Sequence, residues 1–155
     1  MRKILLLLSV LFIGSAAFAQ SADVITEILE SPRFTYGQAC YLSASSQNLI
    51  SDDASYDDAI LALESENQIN DAVFADQEIK LVDLAYIYTK MFNLKGGLMY
   101  RITKGSPRYS LKLLKSDGII PANTDPSKVL SGTEALSLYT SCLLKYGENQ
   151  FTESL

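Results

Sequence analysis

The residues in this chain best suited to chemistry are two pairs of carboxylates. Asp52-Asp53 and Asp57-Asp58 are its dense acidic clusters, and paired carboxylates do acid and base work in glycoside hydrolases. Both pairs fall in a polar loop and at an expected helix start, where carboxylates complement the helix dipole. The chain has no His, which excludes a Ser-His or Cys-His nucleophile pair and a His-ligated metal site. We therefore predict no catalytic residues, no metal site and no cofactor.

Two cysteines, Cys40 and Cys142, are the remaining reactive side chains. In an oxidising compartment they would pair, and the bridge would close a loop long enough to stabilise the fold by roughly 4 kcal/mol. Cys is also among the most buried residue types, and both positions lie on expected apolar helix faces. The sequence is compatible both with a disulfide and with two separate buried thiols.

Positive charge is concentrated in one stretch of an otherwise acidic chain. Residues 20–83 hold 13 acids and two bases, whereas residues 84–116 hold no acid and seven bases. The whole chain has a net charge of −5, and this balance argues against nucleic acid as a partner.

The basic stretch has two interpretations. It suits an anionic glycan, a lipid head group or an acidic protein surface, or it faces the acidic half of the chain and is otherwise solvated, which we favour. If a ligand binds, residues 95–108 are the first place to look, because this part is expected to be irregular and binding residues concentrate in loops. The candidate ligand-binding residues are Lys95, Arg101, Lys104, Arg108 and Tyr109.

Residues 1–19 have the three-part pattern of a secretory signal peptide. Two bases are followed by the apolar run 4–13, and the small residues Ala17 and Ala19 precede a cut before Gln20. The apolar run is shorter than the about 20 residues of a membrane-spanning helix, so an uncleaved anchor is the less favoured alternative. We expect the mature protein in the periplasm, at the cell surface or secreted, and not as an integral membrane protein.

Helical signals recur along the rest of the chain, and they predict an all-α fold. Thr35 with Gln38 and Ser131 with Glu134 have the spacing of a capping box, which marks the start of a helix. Gly147 is a natural residue to follow the last helix. We expect one helical domain over residues 20–147 and a flexible tail over 148–155.

An internal repeat bears on the arrangement of these helices. Segments that begin at Phe34, Ile79 and Leu130 align without gaps, with an apolar first residue, Gln, Asp or Glu at the fifth position and Leu or Ile at the ninth. A shorter helix is expected before each segment, so the pattern predicts three short-helix/long-helix repeats packed as one small domain. The alternative is that capped amphipathic helices share this pattern by chance.

This arrangement resembles the S-layer homology domain, a family with three repeats of a short helix, a Gly-Ile loop and a capped longer helix. The run Asp117-Gly118-Ile119-Ile120 is similar to the Gly-Ile loop of that family. The segment Leu130-Ser131-Gly132-Thr133-Glu134-Ala135 is similar to its Thr-Arg-Ala-Glu helix start. The resemblance covers residues 22–146 and implies the fold.

The motif Arg of that family helps to hold an acidic wall polysaccharide. The matching positions here are Tyr36, Leu81 and Gly132, and none is basic. Ser131 and Glu134 do match the motif, but a capping box explains them. The resemblance therefore implies the fold more than the ligand.

We expect an exported, non-catalytic binding module of the cell envelope, with wall polysaccharide as its ligand. The alternative is a periplasmic structural or adaptor protein that binds another envelope protein, which suits the missing Arg and the nine Tyr, since Tyr is favoured at interfaces. A stand-alone domain would anchor its cargo through a partner or by oligomerising.

Overall fold

Helices account for the regular secondary structure in the part of the chain that the structure describes. A computed structural model describes residues 23–69 and 73–152, with 148–152 as backbone only. The helices are α1 (23–30), α2 (Tyr36–Ser46), α3 (Tyr56–Ser65), α4 (Leu81–Met91), α5 (Leu98–Ile102), α6 (Pro107–Ser116) and α7 (Gly132–Thr152). The predicted all-α class is confirmed. The predicted signal peptide and its cut before Gln20 lie outside the described residues.

Local hydrogen bonds explain where the long helices begin. At the start of α2, the Gln38 amide donates to Thr35 Oγ1 at 3.3 Å and the Thr35 amide donates to Gln38 Oε1 at 3.2 Å. At the start of α7, the Glu134 amide donates to Ser131 Oγ at 3.2 Å and the Ser131 amide donates to Glu134 Oε2 at 3.0 Å. Both predicted capping boxes are confirmed. Helix α4 begins after Lys80 without a side-chain cap.

The stretches that lead into α2, α4 and α7 are joined by backbone hydrogen bonds in a closed ring. The first amide of each long helix donates to the stretch before another one. These bonds run from Tyr36 to the Gln77 carbonyl (2.8 Å), from Leu81 to Lys128 (2.8 Å) and from Gly132 to Ser31 (2.9 Å). The stretch before α2 therefore bonds to the stretch before α4, that one to the stretch before α7, and that one back to the first. The three helix starts meet at one place.

Apolar side chains from every described helix except α5 fill the interior around this ring. Phe34, Ile79 and Leu130, the first residues of the aligned segments, are 0%, 1% and 7% exposed. Helix α4 is buried on most sides and packs against α2 and α6. Tyr88 on α4 is completely buried, and its hydroxyl donates to the Ala135 carbonyl at 3.4 Å. One core therefore stabilises the whole described domain.

The two cysteines belong to this core as separate thiols. Cys40 and Cys142 are both free and 0% exposed, so of the two alternatives the structure has the unpaired one. Burial raises the pKa of each thiol to about 12, because a thiolate loses its hydration inside an apolar core.

Two predictions about helix boundaries are wrong. Residues 95–108 were expected to be irregular, but Leu98–Ile102 form α5 and α6 begins at Pro107. The last helix was expected to end at Gly147, but α7 continues through it to Thr152. A Gly inside a helix costs about 0.5–1 kcal/mol, and a long helix that is already nucleated has hydrogen bonds enough to offset that cost.

Candidate functional site

Residues 92–106 connect α4 to α6 and carry α5 on the surface of the domain. We call this segment the excursion. Gly97 caps α5 in an extended conformation, and Lys104 and Gly105 follow it with φ angles of 53° and 74°. These left-handed conformations turn the chain back toward α6. The Ser110 hydroxyl donates to the Gly105 carbonyl at 3.2 Å and is buried, which ties the returning chain to the core.

Tyr100 packs against the two ends of its own segment. A Cβ atom added at Gly96 would lie 2.5 Å from its Cγ, and one added at Gly105 would lie 2.8 Å from its Cζ. The ring therefore packs on main chain at both ends of the segment, where only Gly leaves enough room. This packing gives α5 a fixed orientation although the helix is short.

The structure brings three of the predicted ligand-binding residues onto this one excursion. Lys95, Arg101 and Lys104 are exposed on or beside α5, and Arg108 is exposed on the first turn of α6. Tyr109 is half-buried on α6, with the Lys112 ammonium 5.2 Å from its ring centroid.

Lys90 of α4 adds to the same charged surface. Its ammonium donates to the Lys104 carbonyl at 3.1 Å and lies 5.3 Å from the Tyr86 ring centroid. Sequence reasoning counted Lys90 among the seven bases but did not place it beside the loop.

Among the described residues, no ion pair joins the cations of the excursion to the acidic half of the chain. Within the described residues, the ion pairs join Arg33 to Glu78 at 2.7 Å and Lys128 to Glu134 at 2.8 Å. Neither pair includes a residue from 95–108. The favoured expectation, that this stretch faces the acidic half of its own chain and is otherwise solvated, has no ion pair to support its first part.

Sequence reasoning missed the apolar residues of the site. Leu98, Met99 and Ile102 are 72%, 50% and 65% exposed. An apolar residue at helical spacing is normally assigned to the core. The available signal was the density of cations around them, because a core-facing helix rarely carries so many bases on its flanks.

A cavity lies between the loop 117–130 and α7. It has a volume of about 250 Å³ and mixes apolar and hydroxyl side chains, with Leu81, Ile120, Thr124, Ser137 and Ser141 among those that line it.

Its charged groups already serve the fold. The Lys128 ammonium donates to Glu134 Oε1 at 2.8 Å, and this bond, together with the Ser131 amide, lowers the pKa of the Glu134 carboxyl. Glu134 is therefore occupied as a cap and an ion-pair partner.

The three positions aligned with the motif Arg cannot carry an exposed Arg in this chain. A Cβ atom at Gly132 would lie 1.5 Å from the Ile28 carbonyl oxygen, so no side chain fits there. Leu81 is 2% exposed in the core, and Tyr36 is half-buried and packs against it. Positive charge for a ligand must therefore come from elsewhere in the chain.

One of the four carboxylates in the acidic clusters, Asp58, belongs to a helix cap. Asp58 accepts from the Ser55 amide at 3.0 Å, and the bonds from Ser55 lower the pKa of its carboxyl. A general acid needs a raised carboxyl pKa. No group of His, Cys, Asp or Glu among the described residues is arranged to hold a metal ion.

Comparison with known proteins adds no relative. No protein-family model matches the chain, and no curated protein sequence matches it significantly. Among the described residues, no helix has the length and apolar character needed to cross a membrane. The function is therefore argued from the geometry of the chain itself.

Proposed function

We propose that this chain is an exported, non-catalytic binding module of the cell envelope, and that it holds an acidic polysaccharide through the basic segment 95–108. The observation that carries the proposal is the group of exposed cations on one short excursion, with no ion pair to the rest of the described chain. Arg101 offers a planar fork that suits carboxylate groups, while Lys95 and Lys104 act as point charges.

We also propose that the domain has the fold of an S-layer homology domain, and the arrangement of the helices supports this. The ring of backbone bonds joins three helix starts in cyclic order, and a helix of eight to ten residues precedes each of α2, α4 and α7. This is what three repeats of one unit would produce. The proposed polysaccharide surface differs from that of the family, because the positions that match the family's Arg are Tyr36, Leu81 and Gly132 in this chain.

Co-sedimentation with purified cell-wall glycan tests the polysaccharide. Retention is expected to fall as salt rises, since exposed charges are screened over about 10 Å at 0.1 M. The triple variant Arg101→Ala/Lys104→Ala/Arg108→Ala is expected to lose most of this retention. Full retention of the triple variant would refute the proposed surface.

A control with the same change in net charge isolates the position of the cations. Arg33→Ala/Lys80→Ala/Lys145→Ala removes three exposed cations from elsewhere on the described surface. This variant is expected to bind glycan like the wild type. An equal loss in both triple variants would show that net charge matters and the segment does not.

An adaptor that binds another envelope protein is the second candidate. Leu143 and Leu144 on α7 are 43% and 78% exposed, and exposed apolar side chains close together can serve as a contact for a partner. Cross-linking in the intact envelope tests this candidate. A protein adduct that is lost with Leu143→Ser/Leu144→Ser, together with no glycan retention, would favour the adaptor.

A further inference from the structure

Helix α5 turns its apolar side away from the domain. At about 100° per residue, Leu98, Met99 and Ile102 fall within one third of the helix circumference. Tyr100 lies on the opposite side, where its ring packs on main chain at both ends of the segment. The three apolar side chains therefore form an outward tip, and the packing of Tyr100 fixes that direction.

Cations surround this tip. Lys95 precedes α5, Arg101 lies on its flank, Lys104 follows it and Arg108 lies on the first turn of α6; all four are exposed. No acid occurs between residues 84 and 116. The result is an apolar centre bordered by positive charge.

We propose that α5 is a docking tip for an anionic phospholipid surface. The apolar side chains would enter the headgroup region, and the bordering cations would pair with lipid phosphates, as in other interfacial helices. This inference rests on the proposed function in one respect, that segment 95–108 is the binding surface. It adds a ligand that uses the apolar side chains as well as the cations.

The exposed apolar side chains favour lipid as this additional ligand. A polysaccharide would engage the cations and leave Leu98, Met99 and Ile102 in water. A specific protein interface buries about 800 Å² per partner, which is far more than a convex five-residue helix presents. A bilayer surface uses both the charge and the apolar tip and needs no matching shape.

Vesicle co-sedimentation is the first test. The full chain is expressed, the N-terminus of the purified protein is determined by mass spectrometry, and the protein is mixed with vesicles of phosphatidylglycerol and phosphatidylcholine or of phosphatidylcholine alone. We expect binding to the anionic vesicles and much weaker binding to the neutral ones. Each bordering cation is expected to contribute about fivefold to the partition coefficient.

Matched serine variants isolate the apolar tip. Leu98→Ser/Ile102→Ser is expected to lower partition about tenfold or more, because each side chain loses its apolar contact with lipid. Leu61→Ser/Leu144→Ser removes two side chains that are 62% and 78% exposed elsewhere, and is expected to bind like the wild type. Circular dichroism confirms that both variants are folded.

A tryptophan reporter locates the contact directly. The chain has no Trp, so Met99→Trp introduces a single indole at the tip. Its emission is expected to shift to shorter wavelength with anionic vesicles, whereas the emission of Leu144→Trp is expected to stay unchanged.

Three results would overturn the inference. They are the absence of wild-type binding to anionic vesicles at low salt, undiminished binding of Leu98→Ser/Ile102→Ser, and a tip indole that stays in water. Capture of an acidic protein in the absence of vesicle binding is a case of the first result. Glycan retention is measured on the same serine variants and is expected to be unchanged, so failure of the lipid inference and failure of the proposed function give different results.

Discussion

Gly132→Ala tests the contact between α1 and the start of α7, on which the ring of helix starts depends. The added Cβ would lie 1.5 Å from the Ile28 carbonyl oxygen and 2.6 Å from its carbonyl carbon. Main chain on both sides cannot rotate away. One helix would have to move by about 2 Å to reach an ordinary contact distance, and the 2.9 Å bond from the Gly132 amide to the Ser31 carbonyl would be strained.

The clash of the added Cβ can be relieved in two ways, and both lower the free energy of unfolding by a similar amount. If both helices stay in place with local distortion, overpacking costs about 1–3 kcal/mol and the strained hydrogen bond about 1 kcal/mol more. If α1 detaches from the domain instead, the side chain of Ile28, which is 0% exposed in the fold, becomes exposed to water. This exposure costs about 1.5–3 kcal/mol. The free energy of unfolding is therefore expected to fall by about 3 kcal/mol, and Tm by about 10 °C.

Urea unfolding followed by circular dichroism measures this change. Gly147→Ala is the matched control, because it places the same methyl group in the same helix, 3.1 Å from the end of the exposed Leu143 side chain. That side chain can rotate, so the control is expected to gain about 0.5–1 kcal/mol from helix propensity. If Gly132→Ala were as stable as the wild type, the close contact between α1 and α7 would be wrong.

Three further predictions concern titration, thiols and a buried hydroxyl. Hydrogen bonds lower the folded-state pKa of Glu134, so its carboxylate stabilises the fold above the ordinary pKa of 4.5, and this contribution is lost as pH falls through the folded pKa. Glu134→Gln is expected to lower the free energy of unfolding at pH 7 by less than about 1 kcal/mol, because the group is exposed. The difference in Tm between the variant and the wild type should shrink by pH 3. Cys40 and Cys142 are expected to resist a thiol reagent in the native protein and to react when it unfolds, and a disulfide found by mass spectrometry would contradict this. Ser110→Ala removes a buried hydroxyl and is expected to cost about 1–2 kcal/mol in urea unfolding, with no loss if that hydroxyl is unbonded.

The parts of the fold that follow from local chemistry could be predicted from the sequence. The capping boxes at Thr35 and Ser131 depend on bonds across three residues, and the spacing of apolar residues depends on the helix period. The all-α class followed from these signals. The ring of bonds between helix starts joins residues far apart in the chain, so no local pattern indicates it.

Helix α5 shows why the rest could not be predicted. The Gly residues around it are typical of a loop, and they are needed because the Tyr100 ring packs on main chain at both ends. Sequence alone did not reveal that Tyr100 takes the inward position and leaves Leu98, Met99 and Ile102 outside. The cations were identified by their type, whereas the direction of the apolar side chains depends on a tertiary contact.

The difference between the links that follow α2 and α4 explains where a binding surface can arise on this fold. Residues 47–55, after α2, include Asp52 and Asp53, while residues 92–106, after α4, include three cations and α5. The helix starts are fixed by the ring of backbone bonds, and at Gly132 not even a methyl group fits. The links lie at the surface, where length and charge change without disturbing the core. In the proposed function, recognition belongs to the excursion after α4, and its charge and apolar tip are the properties that would select the ligand.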